Sequence, residues 1–219
     1  PKQKYIAPAP LHINYLQSDK ILQSLYVDAD SYFYSCCISC ADAVNGLRRR
    51  YYSWSTVKLY YSVFYGLRSL LALGGIVVFY DKTKPKFLRA RPGSQIQNPP
   101  RSRSERTSHG VILETFRSHF PGHPLLSQDI LGESPLLWLK ARREEMNYTQ
   151  AKFTEPQAPK HLQSTEKTPL RKLVNEYIGD SEYFYAFDPD HAVIAYPLEI
   201  IKSVSREVAA KKQSSLSFS

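Results

Sequence analysis

Apolar positions recur at helical spacing over most of this chain, and the segment from Tyr51 to Tyr80 is the most strongly apolar. Within it Tyr60, Phe64, Leu67 and Leu71 form one broad stripe, the signature of an amphipathic helix. Ser62, Gly66 and Ser69 form a second line of small side chains at the same spacing. Small side chains let a neighbouring backbone come close, so a central, buried helix with neighbours on two sides is expected. Ser53 or Ser55 is expected to cap its start, and Gly74-Gly75 to end it in a left-handed turn. Lys58 and Arg68 interrupt the apolar run, leaving no stretch near the roughly 20 residues of a membrane span. The expectation is a buried helix in a soluble domain, with no membrane partner.

The same reading organises the rest. Pro8 and Pro10 discourage helix, so residues 1–27 are expected to hold an extended N-terminal segment. From Asp28, the spacing of Phe33, Cys37, Cys40, Val44 and Leu47 predicts a helix that packs antiparallel to the central one across a short connection. After Gly75 the period changes. Ile76 to Tyr80 and Lys86 to Arg91 read as a hairpin around Asp81 to Pro85, followed by an exposed loop over 92–107. Ser108 is expected to cap a third helix with Ile112, Phe116 and Phe120 inward, and Ser134-Pro135 to open a fourth. Residues 150–168 read as a loop, and Leu170 to Gly179 as a short helix. Tyr183 to Phe187 and Ala192 to Tyr196 read as a second hairpin around Asp188-Pro189-Asp190. Pro197 then opens a last helix with Leu198, Ile201 and Val208 inward, and a disordered tail is expected from Gln213. The expected fold class is mainly α: an antiparallel helical bundle over 28–165 with one or two small β-hairpins, and a helix-hairpin-helix extension over 166–212.

With 219 residues, 42% of them hydrophobic, the chain can build one sizeable core. Its net charge of +9 changes the picture because most of it is local. Lys82, Lys84, Lys86, Arg89, Arg91, Arg101, Arg103 and Arg106 face Glu105 alone, which puts +7 into residues 82–106. Such a segment suits sequence-blind contact with a phosphate backbone, so these eight are the expected nucleic-acid-binding residues; a solvated loop or a dock for an acidic protein is the plainer reading. The three cysteines, Cys36, Cys37 and Cys40, fall within one helix with no second ligand pair elsewhere. Small buried hydrophobes are therefore expected, with no metal and no cofactor. The first residues show no secretory h-region, and a cytoplasmic location is expected.

The candidate chemistry lies on the fourth helix. In LLWLKARREEMNY, Leu136, Leu139, Arg143 and Met146 share a face, so Arg143 falls where core is expected. Burying an unpaired guanidinium is costly; it must be paired, reach outward or line a cleft. Asn147 follows one turn later and Tyr148 one turn after Glu144. Arg143, Asn147 and Tyr148 are the candidate catalytic or phosphate-binding residues. The alternative is an Arg143–carboxylate bridge with Tyr148 packed as core.

Two segments resemble a known family. Tyr60-Tyr61-Ser62-Val63-Phe64-Tyr65-Gly66-Leu67-Arg68-Ser69-Leu70-Leu71 looks like the second helix of HEPN domains, and Arg143-Glu144-Glu145-Met146-Asn147-Tyr148 looks like the late signature of the HEPN branch with Arg, three residues, Asp or Asn, then Tyr. A looser likeness to YaaC-like proteins lies in Phe64-Tyr65-Gly66-Leu67 and His109-Gly110. The HEPN resemblance implies an all-α bundle, often dimeric, in prokaryotic toxin–antitoxin or antiviral defence systems. It also implies metal-independent ribonuclease chemistry where Arg-x4-6-His is present. Here Asn147 and Tyr148 stand where that histidine belongs; Asn has no useful pKa and Tyr titrates near 10. The first expectation is therefore an RNA- or partner-binding subunit that does not cut, with a protein partner or homodimer. A ribonuclease toxin with a substituted motif, using Tyr148 or a distant His109, His119 or His123, is the second. A protein-interaction scaffold is the third.

Overall fold

The computed structural model describes residues 12–99, 107–149 and 157–216. Arg101, Arg103 and Arg106, both N-terminal prolines named above, and residues 217–219 lie outside the described residues.

The first helix, α1 (Tyr15–Arg48), begins well before the expected Asp28. The cause is a capping box: the Asn14 side chain accepts from the Gln17 N–H at 2.8 Å, and the Gln17 side chain accepts from the Asn14 N–H at 2.9 Å. Of the described residues before α1, His12 and Ile13 pair with the 93–95 segment: the Ile13 N–H donates to Ser94 at 3.1 Å, and the Gly93 N–H to Ile13 at 2.9 Å. A tight turn then leads into α2 (Tyr52–Leu73), whose N-cap is Tyr51 with no side-chain bond; neither Ser53 nor Ser55 caps it. Gly74 and Gly75 end α2 as expected, Gly75 in the left-handed region at φ +73°.

α1 and α2 pack antiparallel. Asp42 meets Lys58, Cys36 meets Ser62, Tyr32 meets Arg68 and Ala29 meets Ser69, stepping down one helix as they step up the other. The approach is close because both surfaces are small. Ser62 donates to the Cys36 carbonyl at 2.9 Å and Ser69 to the Ala29 carbonyl at 2.9 Å. This shifts the buried line of α1 to Ala29, Cys36, Cys40, Ala43 and Leu47; Phe33, Cys37 and Val44, expected at the centre, flank it. Burial pushes the Cys36 and Cys40 thiols up to about 12, so they act as apolar filler.

The hairpin forms as β1 (Ile76–Asp81) and β2 (Lys84–Arg89), antiparallel with Val78 opposite Phe87. Thr107, not Ser108, caps α3 (Ser108–His119) by accepting from the Gly110 N–H. Phe120 at its end packs against Gly74. α4 (Pro135–Glu144) runs into a wider π turn, Glu145–Thr149. Residues 160–167, expected as loop, form a 3-10 turn at Lys160–Leu162 and the short α5 (Ser164–Lys167), with His161 and Leu162 buried. α6 (Leu170–Gly179) follows with Leu173 and Tyr177 inward.

The expected second hairpin is absent among the described residues. Residues 192–196 instead open α7 (Ala192–Leu216), which holds Pro197 inside it and continues past Gln213. The Asp188 carbonyl accepts from the Ala192 N–H at 2.7 Å and that of His191 from Ile194 and Ala195, so the Asp-Pro-Asp turn starts a helix where a strand return was expected. Pro197 lies inside this helix, where it forgoes the bond to the Val193 carbonyl. α7 is no extension. Tyr196, Ile200 and Val204 are buried in the same core as α2, whereas Leu198 and Ile201 lie at its edge. Lys202 ties α7 to α6: its ammonium donates to the carbonyls of Ile178 at 3.2 Å and Asp180 at 2.6 Å, and to the carboxylate of Glu199 at 2.5 Å, which is 2% exposed. No described helix is long and apolar enough to cross a membrane.

Two variants check this packing. A Cβ at Gly66 would stand 2.0 Å from Ile200 Cγ2 and 3.3 Å from Cys36 Sγ, so Gly66→Ala is expected to lower stability by about 1–3 kcal/mol in urea unfolding. Gly122→Ala, with nothing within 4 Å, serves as the neutral control. Lys202→Met strands the Glu199 carboxylate and is expected to cost about 3 kcal/mol, much of which the added change Glu199→Gln restores.

Candidate functional site

The outer edge of the α2 stripe, near its N-terminal half, carries Tyr60 and Tyr61. α3 brings His109 to them and α4 brings Arg143, so three helices meet at one aromatic cluster. The His109 ring lies 4.4 Å from Phe64 and 5.5 Å from both tyrosines, centroid to centroid. Its Nδ1 is 3.1 Å from the Tyr60 hydroxyl. Arg143 sets its guanidinium 5.8 Å from the Tyr61 ring centroid and 5.9 Å from that of Tyr60, and Nη2 donates to the Tyr61 hydroxyl at 3.4 Å. Among the described residues it meets no carboxylate, and its Nε is buried without a hydrogen-bond partner.

The π turn explains where the other two candidates fall. Its i to i+5 register is wider than that of an α turn. Tyr148, five residues on, therefore sits against the Arg143 guanidinium at 5.6 Å, while no hydrogen bond joins Asn147 to Arg143. Tyr148 is 73% exposed, which excludes the alternative that places it in the core. The carboxylate bridge belongs to the neighbouring residue: Arg142 meets Glu145 at 2.8 Å and lies over the Trp138 ring.

Burial lowers the proton affinity of His109, and the charges of Arg143 and Lys140 lower it further against the pull of Glu144. The ring is therefore neutral at pH 7, able to accept a proton or a hydrogen bond from a bound ligand. His119 packs on Phe87 and bonds the Thr115 carbonyl, and His123 caps the 124–126 turn, so neither of these two reaches Arg143. On the far side of α4, buried His161 bonds Thr56; the Thr56 hydroxyl is spent on the Tyr52 carbonyl, which makes His161 Nε2 the donor. Desolvation, with Arg142 beside it, holds His161 down at about 4.

The basic residues are placed elsewhere. Lys82 sits at the hairpin tip at φ +57°, Lys84, Arg89 and Arg91 are exposed, and Lys86 donates to Asn98 at 2.8 Å. The hairpin begins beyond Leu73, about 18 Å along α2 from Tyr61 at the helical rise, so it forms a second basic surface separate from Arg143. Among the described residues no group of His, Cys, Asp and Glu is placed to hold a metal. No protein-family model, curated protein or solved structure matches the chain.

α-Helical spacing puts Asn147 beside Arg143, and the π turn breaks that spacing; His109 lies on another helix, and no spacing in the sequence ties it to Arg143. The paired tyrosines were read for their packing, although their hydroxyls and faces are what hold Arg143 and His109.

The buried histidine yields a pH test. In the unfolded chain His161 binds a proton near pH 6.5, in the folded chain only near 4, so folding loses stability as pH falls through that window. The expected contribution is on the order of 3 kcal/mol, read as a urea midpoint that drops from pH 7 to pH 4.5 less steeply in His161→Gln than in the parent.

Proposed function

We propose that the chain is a HEPN-like helical module that binds RNA through Arg143 and the Tyr60–Tyr61–His109 cluster, as a subunit of a prokaryotic toxin–antitoxin or antiviral defence assembly. The observation that carries this reading is the Arg143 guanidinium, held on two tyrosine faces with no carboxylate partner among the described residues and one buried N–H unspent. A guanidinium held in that way has its fork of donors preorganised for a phosphate. The exposed lysines and arginines of the hairpin supply a second, sequence-blind contact. The assembly and its other subunits are proposed from the resemblance of the two helical segments.

A second reading is favoured by one observation. His109, neutral and bonded to the Tyr60 hydroxyl, is the proton-moving group that Asn147 is not, and it shares the cluster with Arg143. Cleavage without metal would use His109 to take the 2′-hydroxyl proton as the 2′-oxygen bonds to phosphorus and the P–O5′ bond breaks, the 5′-oxygen taking a proton from water, with Arg143 stabilising charge on the scissile phosphate.

One set of measurements separates the two. Under the binding reading, Arg143→Ala weakens RNA affinity roughly tenfold or more, and the parent protein leaves RNA intact in excess chelator. Under the cleavage reading the parent cuts RNA in chelator, both His109→Gln and Arg143→Ala abolish cutting, and the rate rises with pH through a point below 6.5 before levelling. Unchanged RNA affinity in Arg143→Ala, with no cutting by the parent, overturns both.

A further inference from the structure

The α1–α2 turn carries features that the cluster around Arg143 does not use. Arg48, Arg49 and Arg50 are all exposed there, and Arg50 holds the turn in the left-handed region at φ +62°. Trp54, 57% exposed, and Tyr51, 53% exposed, present apolar faces to solvent beside them. Tyr51, Trp54, Arg49, Asn45, Lys58 and Asp42, the last paired with Lys58, wall a cleft of about 260 Å³, just under the lower end of the roughly 300–1,000 Å³ of small-molecule pockets and fit for one planar ring. Ser55 lines the same cleft. It is 1% exposed, and its hydroxyl is buried against Gly46. Gly46 leaves room for that hydroxyl: a Cβ there would stand 2.4 Å from it.

The cleft is also in line with the Arg143 cluster. Trp54, Lys58, Tyr61 and Tyr65 are spaced four, three and four residues apart on the outward face of α2, and the Tyr61 and Tyr65 rings are 6.1 Å apart. From Trp54 to Tyr61 the helical rise spans about 10 Å, the length of three stacked bases at 3.4 Å each. Aromatic faces that alternate with cations along one line are the elements of a single-strand track: rings accept bases whatever their identity, and cations follow the phosphates.

We propose that the cleft at the α1–α2 turn is a stacking site for a base of single-stranded nucleic acid, held by Trp54 and Tyr51, and that the strand runs along Lys58 to Tyr61 and Arg143. The inference rests on the RNA-binding reading for the class of partner and adds a site to it. Lys58 is paired with exposed Asp42, a contact weak enough for a phosphate to displace.

The test uses the full chain and a short oligouridylate, with tryptophan fluorescence as the readout. The chain has two tryptophans, and Trp138 is 4% exposed, so quenching by the strand reports Trp54. The expected result is saturable quenching, affinity roughly tenfold weaker in Trp54→Ala, near-parental affinity without the quench in Trp54→Phe, and a shallower salt dependence when Arg48, Arg49 and Arg50 become Gln. Equal quenching by the deoxy strand supports the same site without sugar selection. Parental affinity in Trp54→Ala, or competition by polyglutamate as strong as by RNA, overturns the stacking site. If Arg143→Gln still weakens binding while Trp54→Ala does not, the Arg143 reading stands and this one fails. If Trp54→Ala weakens binding and Arg143→Gln does not, the cleft stands alone and the Arg143 reading fails.

Discussion

Everything in this molecule depends on α2 being covered from two sides at close range. Ser62 and Ser69 draw α1 to near-backbone distance, and the missing side chain of Gly66 admits Ile200 of α7. A helix held so tightly on these faces has little freedom to rotate, and its stripe of Tyr60, Phe64, Leu67 and Leu71 is fixed toward α3 and α4. The aromatic edge of that stripe is where chain segments far apart in sequence bring a histidine and an arginine together. The cluster is thus a by-product of packing geometry.

The cations of the protein divide by what they meet. Lys202 spends its donors on helix-end carbonyls and Glu199, and Arg142 meets Glu145, so both are committed to structure. Arg68 lies 4.0 Å from the Tyr32 ring centroid and donates to its hydroxyl. Arg143 is set against rings and a phenol, which attract a cation without satisfying its donors.

How much was legible in the sequence follows from the range of each interaction. The α2 stripe, its small-residue line and the Gly74-Gly75 stop are local patterns found where the spacing puts them. The first hairpin is found too, but with a tighter turn than Asp81–Pro85 and its second strand at Lys84–Arg89 in place of Lys86–Arg91. The early start of α1 was also local, written in Asn14 and Gln17, but two prolines upstream drew the reading toward extended chain. Residues 192–196 are apolar and partly β-branched, which fits a strand as well as a buried helix; only the company of α2 decides between them. The site itself was half legible. Arg143 stood out because a charge fell on an apolar face, whereas its partnership with His109 depends on where α3 lies and has no sequence period. The π turn that trades Asn147 for Tyr148 has no local signal of the kind that marks a cap or a turn.

The Gly66 notch also has a meaning for synthesis. Ile200, which fills it, leaves the ribosome 134 residues after Gly66. Until then the α1–α2 hairpin can form from neighbouring residues, but the second face of α2 stays an open apolar furrow. The nascent chain therefore carries a vacant helix-binding groove until α7 emerges, shaped to receive that helix and open to any other amphipathic helix that arrives first.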